Sequence, residues 1–156
     1  MCRVLLTVQR AEDAAAAVDA AALHAASGDC VTVVGIPPAL PLCAHWVGLT
    51  GVAHCPGLRD ELIDEVAALV RTTVASLPAC VGVEHRVAHG WRDPRLLARI
   101  EAGCFDAVVL VAAPRRRRDR RALERAAWAG GARVVFPQAA TTAVGEDLPL
   151  ATPAYA

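Results

Sequence analysis

The fold this sequence predicts is a three-layer α/β/α sandwich, with four helices around a five-stranded parallel sheet of order 3-2-1-4-5. Three observations lead to the layered parallel sheet; the strand order is an expectation beyond them. Strand-like apolar runs and helix-like segments take turns along the chain, in the order βαβαβαβαβ. The apolar runs are mostly continuous rather than alternating, the pattern of strands covered on both faces and joined by right-handed crossovers. Hydrophobic residues make up 55% of the chain while aromatics make up only 4%, so the core must be built from Val, Leu, Ile and Ala. Small residues of that kind let helices lie close to a sheet.

Each element has a local reason. Arg3 to Val8 is the first apolar run. Glu12 to Ala26 reads as a helix, acidic in its first turn where the helix dipole favours acids, and stopped by Ser27-Gly28. Cys30 to Ile36 is a β-branched run closed by Pro37-Pro38. A connection over 39–58 follows. Asp60 to Leu77 places Leu62, Val66, Leu69, Val70, Val74 and Leu77 on one helical stripe, and Pro78 ends it. Val81 to Ala88 alternates more than the other strands. Asp93-Pro94 opens the next helix as N-cap and first helical residue, with Leu96, Leu97 and Ile100 facing inward and Gly103 at its end. Ala107 to Ala112 is a continuous apolar strand, Ala122 to Ala129 a helix, and Arg133 to Phe136 the last strand. Residues 1–137 form the expected domain, and 138–156, rich in Ala, Thr and Pro, read as a flexible or surface-draped tail.

Composition bounds the function. Lys+Arg and Asp+Glu both number 16, so no global field selects nucleic acid or an anionic membrane. The apolar run at the N-terminus is short for a signal peptide, and no stretch approaches the roughly 20 residues of a membrane helix, so a cytoplasmic protein is expected. The six cysteines form no CxxC pair and are read as reduced, mostly buried thiols.

The conspicuous feature is "VAAPRRRRDRRALERAAWAGG", where a strand hands over to a helix. Arg115 to Arg118, with Arg120, Arg121 and Arg125, face only Asp119 and Glu124. Cations at a helix N-terminus meet a partial charge of like sign, costing about 0.3–1 kcal/mol each when exposed. Asp119, as a cap, offsets one charge. A solvated turn with arginine stems on the helix explains the run without a ligand. A docked anion would relieve the repulsion: a nucleotide phosphate, another small anion, an acidic protein partner or nucleic acid. Nucleic acid is the weakest of these, because Trp128 is the one aromatic nearby for stacking. In open parallel sheets ligands bind beyond the carboxyl ends of strands where the order reverses. The candidate crevice residues are therefore Gln9, Ile36, Ala112, Arg115, Arg116, Arg117, Arg118 and Arg125.

The layout resembles the universal stress protein family, of the adenine-nucleotide α-hydrolase-like superfamily, over residues 3–136. The matching stretches are "RVLLTV", "VTVVGIPP" and "VEHRVAHGWRDPRLLARIEAGCFDAVVLVAAP". Gly90, Asp93 and Pro94 match the family's Gly-Asp-Pro helix start, with Trp91-Arg92 inserted, and Phe105-Asp106 precede the fourth strand. The resemblance implies a regulatory or stress-response module that dimerises through its last strand, here Val134, Val135 and Phe136. In members that bind ATP it also implies an aspartate after the first strand, a G-x-x-G loop after the fourth and a Gly-Ser/Thr beyond it. Gln9 stands for that aspartate, Val111 and Pro114 for the loop glycines, and Glu124-Arg125 for the Gly-Ser, and no glycine occurs between residues 104 and 129. Without glycines, backbone N–H groups cannot close on phosphates. The expectation is a non-enzymatic module without a family-type ATP site and with no bound cofactor. A nucleotide binder using arginine side chains is its rival, and a nucleotide hydrolase of the same superfamily a weaker one.

Two further constellations carry donor or base chemistry. Cys43, His45, His54 and Cys55 supply a tetrahedral zinc donor set, but adjacent His54-Cys55 seldom both turn toward one ion, so loop residues are the preferred reading. His89, near the end of the third strand, lies on the side where ligands bind. No nucleophile–base spacing or Walker-type loop is present.

Overall fold

The structure, a computed structural model, describes residues 1–39 and 56–137. Its described elements are β1 (Arg3–Val8), α1 (Ala11–His24), β2 (Cys30–Gly35), α2 (Pro56–Ala75), β3 (Gly82–Val87), α3 (Pro94–Glu101), β4 (Ala107–Val109), α4 (Arg117–Gly130) and β5 (Arg133–Val135). The five strands form one parallel sheet of order β3-β2-β1-β4-β5. β1 therefore lies between β2 and β4, with Val4 opposite Val31 on one side and Ala107 on the other.

Period-2 alternation sorts the strand side chains between two cores. Val4, Leu6, Val8, Val31 and Val33 point to one face, where Ala17, Ala20 and Ala21 of α1 and Val66 and Val70 of α2 cover them. Leu5, Val34, Ile36 and Val108 point to the other, under Leu96 and Ile100 of α3 and Leu123, Ala126 and Ala127 of α4. The alanine-rich stripe of α1 is thus a packing surface: side chains that small bring the helix backbone close to the strands.

Several boundaries differ from the sequence expectation. α4 begins at Arg117 rather than Ala122, with Arg116 as N-cap; Asp119 sits in its first turn instead of capping it. The charged first turn buries no apolar stripe, so hydrophobic periodicity cannot mark it. α2 starts earlier and ends at Ala75. Its stripe also carries a fully buried threonine, Thr73, whose hydroxyl donates to the Leu69 carbonyl at 2.9 Å. β4 is only Ala107–Val109; beyond it the regular ladder gives way to single hydrogen bonds, Leu110 N–H to the Val135 carbonyl and Ala112 N–H to the Thr7 carbonyl. The alternation in β3 reflects its place at the edge of the sheet, where most of its residues are exposed. Of the cysteines, Cys2, Cys30 and Cys104 are half-buried and Cys80 is exposed, all free thiols, so the expectation of mostly buried thiols holds only in part for these four. Cys2 and Cys30 stand at the amino ends of β1 and β2, beyond full helix cover. Burial, then the nearby Asp106 and Asp29 carboxylates, raise the Cys2 thiol pKa.

Candidate anion-binding site

The carboxyl ends of β1 and β4 are neighbours, but their junction is closed by the chain itself. Ala112 N–H donates to the Thr7 carbonyl and the Thr7 hydroxyl to the Ala112 carbonyl, both at 3.0 Å. Ile36 is fully buried and Ala112 nearly so. The Gln9 side chain reaches the Pro37 carbonyl at 3.4 Å. At the start of α1, Asp13 takes the N–H groups of Gln9 and Arg10 at 2.8 and 2.7 Å, so those donors are satisfied internally.

The open crevice lies further along the same edge, toward β2 and β3. Its volume is about 460 Å³. Pro37-Pro38 form one wall after β2, with Arg59 and Leu62 from the start of α2. The opposite wall is the His89–Pro94 turn leading into α3, together with Arg116, Arg118 and Asp119 at the start of α4. The turn has a clear local cause. Gly90 adopts φ +151, open to glycine and strained for other residues. That brings the chain round so that Asp93 caps α3, its carboxylate accepting from Arg95 N–H at 2.9 Å and His89 N–H at 2.8 Å. Burial alone would raise the Asp93 pKa, but the backbone donors of His89, Arg95 and Leu96 outweigh it and hold the carboxyl below its ordinary value.

The arginine run divides at this point. Arg116 and Arg118 face the crevice. Arg117 faces outward with Arg121, Arg125 and the exposed Trp128, over a broad depression of about 760 Å³ that Arg92 and Arg118 also border. Arg115 is exposed and borders neither depression. Arg120 is held by Glu124 at 2.7 Å and lies over the Phe136 ring at 4.7 Å. So the structure brings together Arg116 and Arg118 of the candidate set. It leaves Gln9, Ile36 and Ala112 at the closed β1/β4 junction, and turns Arg117 and Arg125 to the outer face of α4.

Arg59 and Arg92 are crevice arginines that the sequence reading passed over. Arg92 carried a signal, since the inserted Trp91-Arg92 immediately precede a helix cap; Arg59 carried none, because only the fold brings the start of α2 to the same opening as the start of α4. Both carboxylates at the crevice are engaged, Asp93 by backbone donors and Asp119 with Arg118 at 3.8 Å. The crevice thus presents guanidinium groups from three elements with no uncommitted acid to answer them among the described residues. A smaller cavity of about 250 Å³, between β3 and α3, shares His89 and Asp93 with it.

No family model matches this chain, and no curated protein does. Cys43, His45, His54 and Cys55 lie outside the described residues, as does the tail 138–156. Among the described residues no group of three or more His, Cys, Asp or Glu side chains is placed to hold a metal ion. No described helix is long and apolar enough to cross a membrane.

Proposed function

We propose that this protein is a non-enzymatic regulatory module, of universal stress protein type, that responds to a small phosphate-bearing anion gripped by arginine side chains. The observation that carries this reading is the crevice in which Arg59, Arg92, Arg116 and Arg118 converge from three elements onto one opening at the carboxyl edge of the sheet. Arginine forks bind phosphate bidentately and stay charged at any physiological pH, so they can replace the glycine amides that the chain lacks. The regulatory reading is supported by the character of the groups that face the opening. His89, Asp93 and Asp119 are the candidate bases among its described lining residues. Both carboxylates are engaged, Asp93 by backbone donors and Asp119 by Arg118, and no Ser, Thr or Cys nucleophile lines it among those residues.

A thermal-shift series with inorganic phosphate, pyrophosphate, AMP, ATP and cyclic nucleotides tests the reading. A ligand that binds only the folded state stabilises by RT ln(1 + [L]/Kd), about 2.7 kcal/mol at a hundredfold excess over Kd. The expected result is a shift with at least one of these anions that Arg116→Ala with Arg118→Ala abolishes and Arg115→Ala leaves intact. No shift with any of them would sink the anion reading, and steady ATP turnover would replace it with a hydrolase.

A further inference from the structure

The crevice is one end of a longer feature. Arg92 and Arg118 border both the crevice and the outer depression, so the two openings run into one another across the start of α4. Along that path lie Arg59, Arg116, Arg117, Arg121 and Arg125, with the Trp128 indole on the outer depression. Trp91, next to Arg92, is half-buried and packs against the core under α3 and α4, whereas Trp128 stands 87% exposed at the far end of α4. The acids along the path are committed: Asp93 to backbone donors, Asp119 to Arg118 and Glu124 to Arg120. Arg117, Arg121 and Arg125 follow one another at four-residue spacing on one helix face, with Trp128 three residues beyond. From Arg117 to Trp128 the helix rises about 16 Å at 1.5 Å per residue.

A row of exposed arginines that ends on an exposed indole fits a polyanion that carries flat groups. We infer that this track binds a short single-stranded nucleic acid, its phosphates on the arginine row and a base stacked on Trp128. Electrostatic neutralisation of the backbone and base–aromatic stacking are the two elements of sequence-tolerant strand binding. The zero net charge of the chain hides the track, because the balancing acids sit elsewhere in the fold. This inference rests on the anion reading at its crevice end only; the outer half of the track stands on its own residues.

The test is fluorescence anisotropy of a labelled thymidine dodecamer against the full chain, beside an abasic dodecamer of equal charge and an oligoglutamate of equal length. Saturable binding of the thymidine strand is expected, with the abasic strand and the oligoglutamate each about tenfold weaker or more, since stacking on one base is worth roughly 1–3 kcal/mol. With about four phosphates engaged, affinity should fall about fiftyfold between about 50 and 200 mM salt. Trp128→Leu keeps apolar area but removes the extended aromatic face, and should cost about tenfold, whereas Trp128→Phe should recover most of the loss. These positions and Arg121 and Arg125 are exposed, and their substitution leaves the core untouched. Arg121→Ala with Arg125→Ala should weaken the strand while leaving phosphate binding at the crevice unchanged. If phosphate binds but the dodecamer does not, the strand site falls and the anion module stands. If the dodecamer binds and no small anion does, the anion module falls. Equal binding of the abasic strand, or tighter binding of oligoglutamate, would overturn the nucleic-acid assignment; the latter would make the face a dock for an acidic protein.

Discussion

Asp93 is the residue on which the candidate site turns. It ends the Gly90 turn, caps α3 and forms part of the crevice wall. Asp93→Ala removes the cap and should cost about 1 kcal/mol of stability at neutral pH, measured by urea unfolding. The sign of its pH dependence follows from its lowered pKa. Its contribution is fully present above the unfolded carboxyl value near ~3.9, and is lost as pH falls through the lower folded value. Wild-type and Asp93→Ala unfolding curves should therefore separate at neutral pH and approach one another as pH falls below the unfolded value; a gap that does not narrow in acid would contradict this account. Part of this site was legible at residue level: the Gly90, Asp93, Pro94 helix start and the arginine run are plain in the chain, but Arg59 and Arg92 were not candidates, and of the candidate residues only Arg116 and Arg118 line the crevice. The division of that run was not. Which of Arg115 to Arg118 turns into a cleft depends on where α4 begins, and α4 begins on Arg117 in a turn that buries nothing apolar.

At the scale of elements, the crevice depends on how closely α3 and α4 pack, because their amino ends form one wall. That packing hinges on Gly130. A Cβ at this position would run into the backbone carbonyl of Ile100 at the end of α3, and backbone cannot swing aside. Gly130→Ala should cost about 1–3 kcal/mol as an overpacking substitution, read from the denaturation midpoint. It should also spread the α3/α4 pair and weaken anion binding at the crevice. A substitution that is neutral in both would show that the helix contact is looser than described. The Arg120–Glu124 pair and the stacking of Arg120 on Phe136 are exposed, so their removal should change stability by no more than about 1 kcal/mol.

Across the whole molecule, zero net charge conceals a segregation between the two helical layers. α1 and α2 carry Glu12, Asp13, Asp19, Asp60, Glu61, Asp64 and Glu65 against Arg59 and Arg71. α3 and α4 carry Arg95, Arg99, Arg117, Arg118, Arg120, Arg121 and Arg125 against Glu101, Asp119 and Glu124. One side of the sheet is therefore acidic and the other basic, so an anionic partner is steered to the α3/α4 side. The sheet also ends on β5, which pairs with β4 alone among the described residues, and Phe136 just beyond it is 40% exposed. We propose pairing of this edge with a second copy across a two-fold axis, which would leave the basic face free. Sedimentation should then give a dimer for the wild type and a monomer for Phe136→Asp; a monomeric wild type would sink the pairing.

The chain's own pattern determined the layers, the parallel sheet and most of the apolar core stripe. These follow from short-range periodicity and from the handedness of crossovers, which every segment carries locally. Only the tertiary structure decided where the sheet's carboxyl edge opens. Hydrogen bonds between Thr7 and Ala112 close the β1/β4 junction, and the opening falls instead between α2 and the amino ends of α3 and α4. It likewise decided that arginines as far apart in sequence as Arg59 and Arg118 share one wall-to-wall space, because the meeting of distant side chains is set by packing rather than by any repeat along the chain.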